Sequence, residues 1–418
     1  MHLNPDFFKK IDTPEGPANF TFWKNLCTEA ESYRGSWEKI LLVLRPDAIG
    51  DFILFSPALA GLRKHFHDHL VVLIGIPEVC ELATAFRLAD HTIPWNRSAY
   101  ERRGRYWRSF LLKLAQTTPV DTLFYPCISR EENADEMVAV IRAREKIGVR
   151  SDGCNITVEK ALHNEALYSR ILDIGKAGGH ETIRNRRILK LLGLKPAPVS
   201  FLNHEHPTIL AFMRKKGIEK PFLLLAPGSR VETKSWPRKR FQTVLDWHLA
   251  NTSAQVVIAG GPGDVRKAEK LRTECCAPDR VFSFAGQLNL VHSVAITGHA
   301  SLFIGNDSGL AHIAAAQNIP GHVIMGGAHY GRFFPYPDGH SLHVHTFRLP
   351  CFGCDWKCVR TRPECVQRTK IPEEALTKTL KFLSSTSRKP VTIEEHMTHA
   401  PPHQLNYRDI SQNRHQRS

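Results

Sequence analysis

The chain has 418 residues, of which 42% are hydrophobic, so it is long enough to form two or three ordinary globular domains. Its 56 basic and 41 acidic residues give a formal net charge of +15, which favours an acidic partner such as a phosphorylated glycan, an anionic membrane surface or a nucleic acid. No apolar run approaches the ~20 residues of a membrane-spanning helix, and the first residues lack the apolar core of a secretion signal. We therefore expect a globular, cytoplasmic protein.

The first half of the chain alternates short apolar strands with helices, which predicts a βαβ series. We expect residues 1–36 to be an extension packed on the first domain. Lys39–Arg45 is a continuous apolar run typical of a buried strand, and Ile49-Gly50-Asp51 opens a helix with an apolar side. Further strands and helices follow up to Glu145–Arg150, which we expect to be an edge strand that closes the first domain.

Asp51 is the first candidate functional residue. It lies in the first turn of the predicted helix, at the carboxyl end of the first strand, where open parallel sheets bind their ligands. The alternative is structural, because an acidic residue in a first turn also complements the helix dipole.

The segment Arg97–Lys113 is unusually basic, and aromatic residues are interleaved with its arginines. A basic run of this kind is often only a solvated face. The sharper interpretation is a surface that binds phosphates or anionic lipid, because aromatic side chains beside Lys and Arg suit a membrane interface.

The alternation of strands and helices restarts at Pro221, after a proline-rich linker. Glycine-rich turns end three successive strands, at Gly228, Gly260-Gly261 and Gly305. Because the carboxyl ends of parallel strands share one edge of a sheet, we expect Lys234, Asp264 and Asp307 on the same side. Together these features predict a pocket for a nucleotide diphosphate.

The stretch Ser301–Gln317 is predicted to be a strand, a tight turn and an alanine-rich helix. Asp307 or Ser308 is expected to cap the helix through a side-chain oxygen, and Gly309 would let an anion approach the first-turn amides. His312 lies one turn further along the helix. A purely structural turn is the alternative.

Four of the ten cysteines form a compact cluster of spacing Cys-x2-Cys-x3-Cys-x6-Cys, made of Cys351, Cys354, Cys358 and Cys365. Four thiols suit a tetrahedral zinc or iron site. However, a common zinc ribbon has two Cys-x2-Cys pairs, which this spacing does not reproduce. A structural metal, reduced thiols and an adventitious disulfide therefore all stay open.

Four sequence strings occur in an order and spacing that resemble glycosyltransferase family 9, the bacterial ADP-heptose heptosyltransferases of the lipopolysaccharide inner core. They are RPDAIGDFILFSPALAGLRK, APGSRVETKSWPRKRF, IAGGPGD and GNDSGLAHIAAAQNIP. The likeness covers residues 39–384. It implies an α/β fold of GT-B architecture, with two Rossmann-like parallel-sheet domains that face a central cleft.

The resemblance also sets the expected domain organisation. An acceptor-binding domain is expected over residues 37–200 and a nucleotide-sugar-binding domain over 201–371. A terminal helix is expected over 372–384. The tail, 385–418, is rich in polar residues without apolar periodicity and is expected to be disordered.

The resemblance further implies an enzyme that inverts the anomeric centre and requires no metal cofactor. Asp51 would be the general base and Lys234 would hold the donor diphosphate. The donor-binding candidates at the predicted helix start are Asp307, Ser308, Gly309 and His312. Asp264 is a candidate for the ribose hydroxyls, and Ser229, in the first glycine-bearing turn, completes the donor-binding set. Lysine and helix-end amides can stabilise the leaving-group charge that other transferases neutralise with a metal.

The implied partners are an ADP-sugar donor and a phosphorylated, lipid-linked glycan acceptor at the inner face of the cytoplasmic membrane. The resemblance implies acceptor recognition at Arg97–Lys113 and around His180-Glu181. One alternative is a family 9 transferase with a protein or another glycan as acceptor. A less favoured one is a nucleic-acid-binding protein that uses its basic charge and cysteine cluster, whose binding would weaken steeply with salt.

Overall fold

The computed structural model describes residues 39–95, 120–175, 179–199, 206–337, 341–355 and 357–385. The predicted extension 1–36, the basic segment Arg97–Lys113 and the predicted tail beyond Ser385 lie outside these residues. The chain divides into two compact units. The first unit contains the described parts of 1–52, 58–176 and 185–197, and the second contains those of 53–57, 177–184 and 198–418. The predicted domain bounds stay predictions.

The first unit is built on a six-stranded sheet in the order β3-β2-β1-β4-β5-β6, with all neighbours parallel. Its strands are β1 (Lys39–Arg45), β2 (His69–Gly75), β3 (His91–Pro94), β4 (Val120–Tyr125), β5 (Ala143–Val149) and β6 (Arg170–Leu172). The expectation that Glu145–Arg150 forms an edge strand is wrong, because β6 pairs with β5, with Ile147 opposite Arg170. With only three residues, β6 is too short to give an apolar pattern in the sequence.

Parallel neighbouring strands require crossover connections, which are usually helices. The helices are α1 (Ile49–His65), α2 (Pro77–Ala85), α3 (Glu132–Val140), α4 (Val158–His163) and α5 (Glu181–Leu191), which begins in residues of the second unit. Pro77 begins α2 at a position where a missing amide hydrogen costs nothing. Gly61 of α1 permits a close backbone approach, because an added Cβ would overlap the carbonyl oxygen of Lys195.

The second unit repeats the same plan with a parallel sheet in the order β12-β11-β10-β7-β8-β9. Its strands are β7 (Phe222–Ala226), β8 (Gln255–Ile258), β9 (Val281–Ser283), β10 (Leu302–Asn306), β11 (Gly321–Ile324) and β12 (Leu342–His345). Counted from its own first strand, each sheet has the order 3-2-1-4-5-6 of a Rossmann fold. The strand order therefore reverses between β1 and β4 in one sheet and between β7 and β10 in the other.

Helices cover both faces of the second sheet, which explains why its central strand β7, FLLLA, is continuously apolar. They are α6 (Pro207–Lys215), α7 (Arg238–Asn251), α8 (Val265–Glu274), α9 (Leu290–His299), α10 (Gly309–Ala316), α11 (Glu364–Gln367) and α12 (Glu373–Ser385). Along β7, Phe222 and Leu224 belong to the core shared with α6, α9 and α10, whereas Leu223 belongs to the core shared with α7, α8 and α12. Within the described part of the chain, no helix is both long and apolar enough to cross a membrane.

Candidate active site

Asn306, the last residue of β10, organises the point at which the strand order of the second sheet reverses. Its fully buried side chain donates from Nδ2 to the carbonyl oxygens of Pro227 (2.8 Å) and Gly228 (3.2 Å) and accepts at Oδ1 from the amide of Trp236 (3.0 Å). The side-chain amide of Asn306 therefore holds the loop that carries Lys234 at both of its ends. Sequence analysis missed this residue, although its place at a strand end before a turn was the available signal.

Three of the predicted site residues meet at the carboxyl edge of this sheet. Lys234 Nζ lies 3.2 Å from Asp307 Oδ2, and His312 Nε2 lies 3.7 Å from Asp307 Oδ1. Asp307 and His312 are 6% and 3% exposed, whereas the Lys234 side chain is 21% exposed. The cluster thus combines a buried carboxylate with a lysine that solutes can reach. We call these three residues the Lys234 cluster.

The start of α10 differs from the expectation that Asp307 or Ser308 caps it. Ser308 is the N-cap residue and has extended backbone, but its side chain makes no capping hydrogen bond. The prediction is wrong for a physical reason, because the carboxylate of Asp307 is engaged by Lys234 and His312. Within the described residues, the buried hydroxyl of Ser308 has no hydrogen-bond partner. The backbone amides around Gly309 in the first turn of α10 therefore have no side-chain cap.

Aromatic side chains hold His312 from the other side. Its ring stacks on Phe334 with centroids 4.6 Å apart, and its Nδ1 lies 3.1 Å from the hydroxyl of Tyr336. Burial raises the pKa of Tyr336 far above its usual range, so the phenol stays protonated and can donate to the imidazole. The orientation of His312 is therefore set by the loop that contains Phe334 and Tyr336.

His180 and Glu181 fix this same loop within the second unit. His180 Nε2 donates to the carbonyl of Phe333 at 2.7 Å, so Nδ1 is the acceptor for the Thr182 hydroxyl at 2.8 Å. Burial lowers the pKa of His180 to about 4, which keeps this imidazole neutral. Glu181 pairs with Arg332 at 3.0 Å. Acceptor recognition was expected around His180 and Glu181, but their described contacts hold the loop that packs on His312.

Asp264 and Ser229 lie at the glycine-rich turns and not in the Lys234 cluster. Asp264 Oδ2 accepts the amide of Gly261 at 2.9 Å, and a Cβ on either Gly228 or Gly260 would overlap its carboxylate. Ser229 Oγ donates to its neighbour, the carbonyl of Val231, at 3.0 Å. Asp264 thus joins the turns after β7 and β8, and both glycines are required by its close approach.

In the first unit, Arg45 occupies the corresponding reversal point between β1 and β4. This nearly inaccessible guanidinium lies 2.5 Å from Asp47 and donates to the carbonyl oxygens of Asp51 (3.3 Å) and Pro126 (3.4 Å). Asp51 is half-buried in the first turn of α1, as predicted. Arg45 therefore ties the start of the Asp51 helix to the end of β4. Sequence analysis noted Arg45 and Asp47 only as a strand end.

The thiol of Cys127 completes this arrangement, 3.6 Å from Asp47. Burial raises its pKa strongly, and the carboxylates of Asp47 and Asp51 raise it further against the opposing effect of Arg45. The thiol therefore stays protonated, and the chemistry available at this edge is that of carboxylates.

The predicted cysteine cluster does not converge on one point. Over the residues that the structure describes, no group of three or more His, Cys, Asp or Glu side chains is arranged to hold a metal ion. The described cysteines form no disulfide bond with one another. Cys365 packs against the core beneath α7 and α8. A structural metal stays a prediction.

Comparisons with known proteins agree with this architecture. Residues 168–353 match the family model of glycosyltransferase family 9 (heptosyltransferase). A lipopolysaccharide heptosyltransferase 3 of Escherichia coli is 30% identical over 287 residues, which cover 65% of this chain and 78% of that protein.

Solved structures show the same fold. A family 9 glycosyltransferase from Veillonella parvula matches with a TM-score of 0.65 and 17% identity, over 83% of this chain and 97% of that one. The E. coli heptosyltransferase WaaC with ADP-2-deoxy-2-fluoro heptose matches with a TM-score of 0.58 and 17% identity, over 82% and 99% of the two chains. These matches confirm the predicted GT-B fold class with its two Rossmann-like parallel sheets. The chain belongs to glycosyltransferase family 9, the heptosyltransferases, and is a glycosyltransferase.

Proposed function

We propose that this protein is an inverting, metal-independent heptosyltransferase that moves a heptose from ADP-heptose to a lipopolysaccharide core or related glycan. The Lys234 cluster carries the proposal, because it places a cation and an uncapped helix start together at the reversal point of the second sheet. Support also comes from the E. coli relative, a lipopolysaccharide heptosyltransferase, and from WaaC, which was solved with an ADP-heptose analogue.

The donor diphosphate is assigned to Lys234 and the first turn of α10. The ammonium group supplies charge-assisted hydrogen bonds, and the amides of Gly309 and its neighbours supply a dipole of the right sign. The hydroxyl of Ser308, which has no hydrogen-bond partner among the described residues, adds a donor at the same place. Asp307 and His312 hold this arrangement in position, since they contact Lys234 directly or through one another.

Asp264 and Ser229 have supporting roles in this proposal. Asp264 keeps the turns at Gly228 and Gly260 in close contact, because its carboxylate occupies the space where a Cβ on either glycine would lie. Its second carboxylate oxygen is our candidate for the ribose hydroxyls. Ser229 fixes the local turn through its hydrogen bond to Val231.

Asp51 is assigned as the general base. As the acceptor oxygen forms its bond to the anomeric carbon, its proton passes to the Asp51 carboxylate and the bond from that carbon to the diphosphate oxygen breaks, so that ADP leaves. Arg45 neutralises Asp47 and holds the Asp51 carbonyl, so one carboxylate at this edge is already ion-paired. Inversion follows because a single displacement occurs without a covalent glycosyl-enzyme.

The acceptor that we propose is a phosphorylated, lipid-linked glycan, and the site of action is the inner face of the cytoplasmic membrane. The charge of +15 supports an anionic partner. The basic segment Arg97–Lys113, assigned to this contact from the sequence, lies outside the described residues and stays a prediction.

The proposal is tested by transfer from ADP-heptose to core glycan in the presence and absence of EDTA. We expect the same initial rate in both conditions and a product whose new glycosidic bond has the opposite anomeric configuration, as measured by nuclear magnetic resonance. Loss of activity in EDTA that Mg²⁺ or Mn²⁺ restores, or a product of retained configuration, would contradict it.

A further inference from the structure

A second group of cationic side chains lines a cavity of about 470 Å³ in the second unit. Its lining residues come from the first turn of α7, the segment after β12 and the segment between α11 and α12: Arg240, Thr346, Phe347, Arg368, Thr369 and Lys370. None of them belongs to the Lys234 cluster. Because β11 lies between β10 and β12, the ends of these two strands are about 10 Å apart. We call this cavity the basic pocket.

Hydrogen bonds fix the walls of the basic pocket. The carbonyl oxygen of Cys365 accepts both the amide of Phe347 (3.3 Å) and the hydroxyl of Thr369 (2.7 Å), which joins two of the lining segments. The buried indole of Trp236 donates to the carbonyl of Thr369 at 2.9 Å. The pocket is therefore preformed, a property typical of ligand sites.

The cations of the pocket are incompletely neutralised. Within the described residues, the half-buried guanidinium of Arg240 and the exposed ammonium of Lys370 have neither an ion-pair nor a hydrogen-bond partner. Arg368 lies over the ring of Phe347, 4.0 Å from its centroid, and is 3.4 Å from Glu364. Two of the three positive charges therefore form no ion pair in the part of the chain that is described.

A hydroxyl in the same cavity points to a polar ligand. Thr346 Oγ1 is buried and has no hydrogen-bond partner among the described residues. A buried hydroxyl without a partner costs free energy, so its presence beside two cations that form no ion pair indicates an acceptor that the described residues do not supply.

We propose that the basic pocket is a second anion-binding site that holds a phosphate group carried on a sugar. Guanidinium and ammonium groups beside hydroxyl donors match the oxygens of a phosphate. The volume of the pocket exceeds that of a lone phosphate and leaves space for the attached ring. Free inorganic phosphate is the other source of the same chemistry, and the site is independent of the assignment of the donor.

The test is calorimetric titration of the full chain with glucose 6-phosphate, inorganic phosphate and glucose. We expect both phosphates to bind and glucose not to bind, and tighter binding of glucose 6-phosphate identifies the sugar-linked source. Arg240→Gln and Lys370→Gln should each weaken binding at least about tenfold, since each removes a charge-assisted contact. Lys239→Gln, the matched loss of an exposed charge beside Arg240, should change affinity less than about twofold.

Thr346→Val separates ligand binding from structure. It removes the partnerless hydroxyl and keeps the side-chain shape, so the melting temperature should stay or rise while affinity for glucose 6-phosphate falls. Failure of glucose 6-phosphate to bind would overturn the proposal, as would equal weakening by Lys239→Gln and Arg240→Gln. Binding that Lys234→Ala abolishes and Arg240→Gln preserves would place the phosphate in the Lys234 cluster and would also overturn it.

Discussion

The two sheets share one strand order, yet the residues at their reversal points differ in chemistry. Between β7 and β10, a neutral amide, Asn306, fixes the loops and the functional groups are a lysine and a helix start. Between β1 and β4, a buried guanidinium, Arg45, does the fixing and the functional groups are carboxylates. The shared fold therefore gives both sites the same position, and the residues at the strand ends give one site a lysine and a helix start and the other site carboxylates.

Replacement of Asp51 tests the carboxylate side of this comparison and should have the largest effect. Asp51→Asn keeps oxygen acceptors but cannot take a proton, so turnover should fall by about 10²-fold or more while ADP-heptose affinity and melting temperature stay near wild type. Steady-state kinetics with calorimetry measures both quantities.

Glu78→Gln is the matched control, because Glu78 is the exposed first-turn acid of α2, after the next strand of the same sheet. It should turn over like the wild type. An Asp51→Asn enzyme with near wild-type turnover would leave Asp51 with a role in the helix dipole alone.

The two units should also differ in how their stability depends on pH in acid. Burial lowers the pKa to about 4 for His180 and to about 3 for His322, both in the second unit. A histidine whose pKa is lower in the folded than in the unfolded protein favours the folded state fully above pH 6.5. This contribution to the free energy of unfolding is lost as the pH falls toward the folded pKa, because the unfolded state takes up the proton first. Each such group should therefore lower the free energy of unfolding by up to about 1.4 kcal/mol per pH unit between pH 6.5 and 4.

His180→Gln provides the measurement for one of these groups. Glutamine can still donate to the Phe333 carbonyl but does not titrate, so the slope of unfolding free energy against pH should become shallower by about one proton. Urea unfolding at a series of pH values gives that slope. Replacement of the exposed His163 in the first unit is the control, and an equal effect there would contradict the assignment.

The sequence was sufficient to predict the central strands of both sheets, because strands buried on two faces are continuous apolar runs such as FLLLA and KILLVLR. It did not predict β11 and β12, whose short runs GHVI and LHVH contain histidines. It also placed Lys234, Asp307 and His312 together, since parallel strands end at one edge. The three-residue β6 was too short to recognise. The expected side-chain cap of α10 failed because Asp307 pairs with a lysine 73 positions away. The contact between His180 and Phe333 spans 153 positions, and no local pattern reports such a contact.

The central claim is that the Lys234 cluster binds the donor diphosphate, and calorimetry with ADP-heptose tests it most directly. Lys234→Ala should weaken binding about 10- to 100-fold, equivalent to about 1.5–3 kcal/mol for a charge-assisted contact, whereas Lys239→Ala should bind like the wild type. Lys234→Ala with Asp307→Asn leaves no unpaired carboxylate and guards against a folding defect in the single variant. The account predicts weak binding by both folded variants, and wild-type affinity in either of them would contradict it.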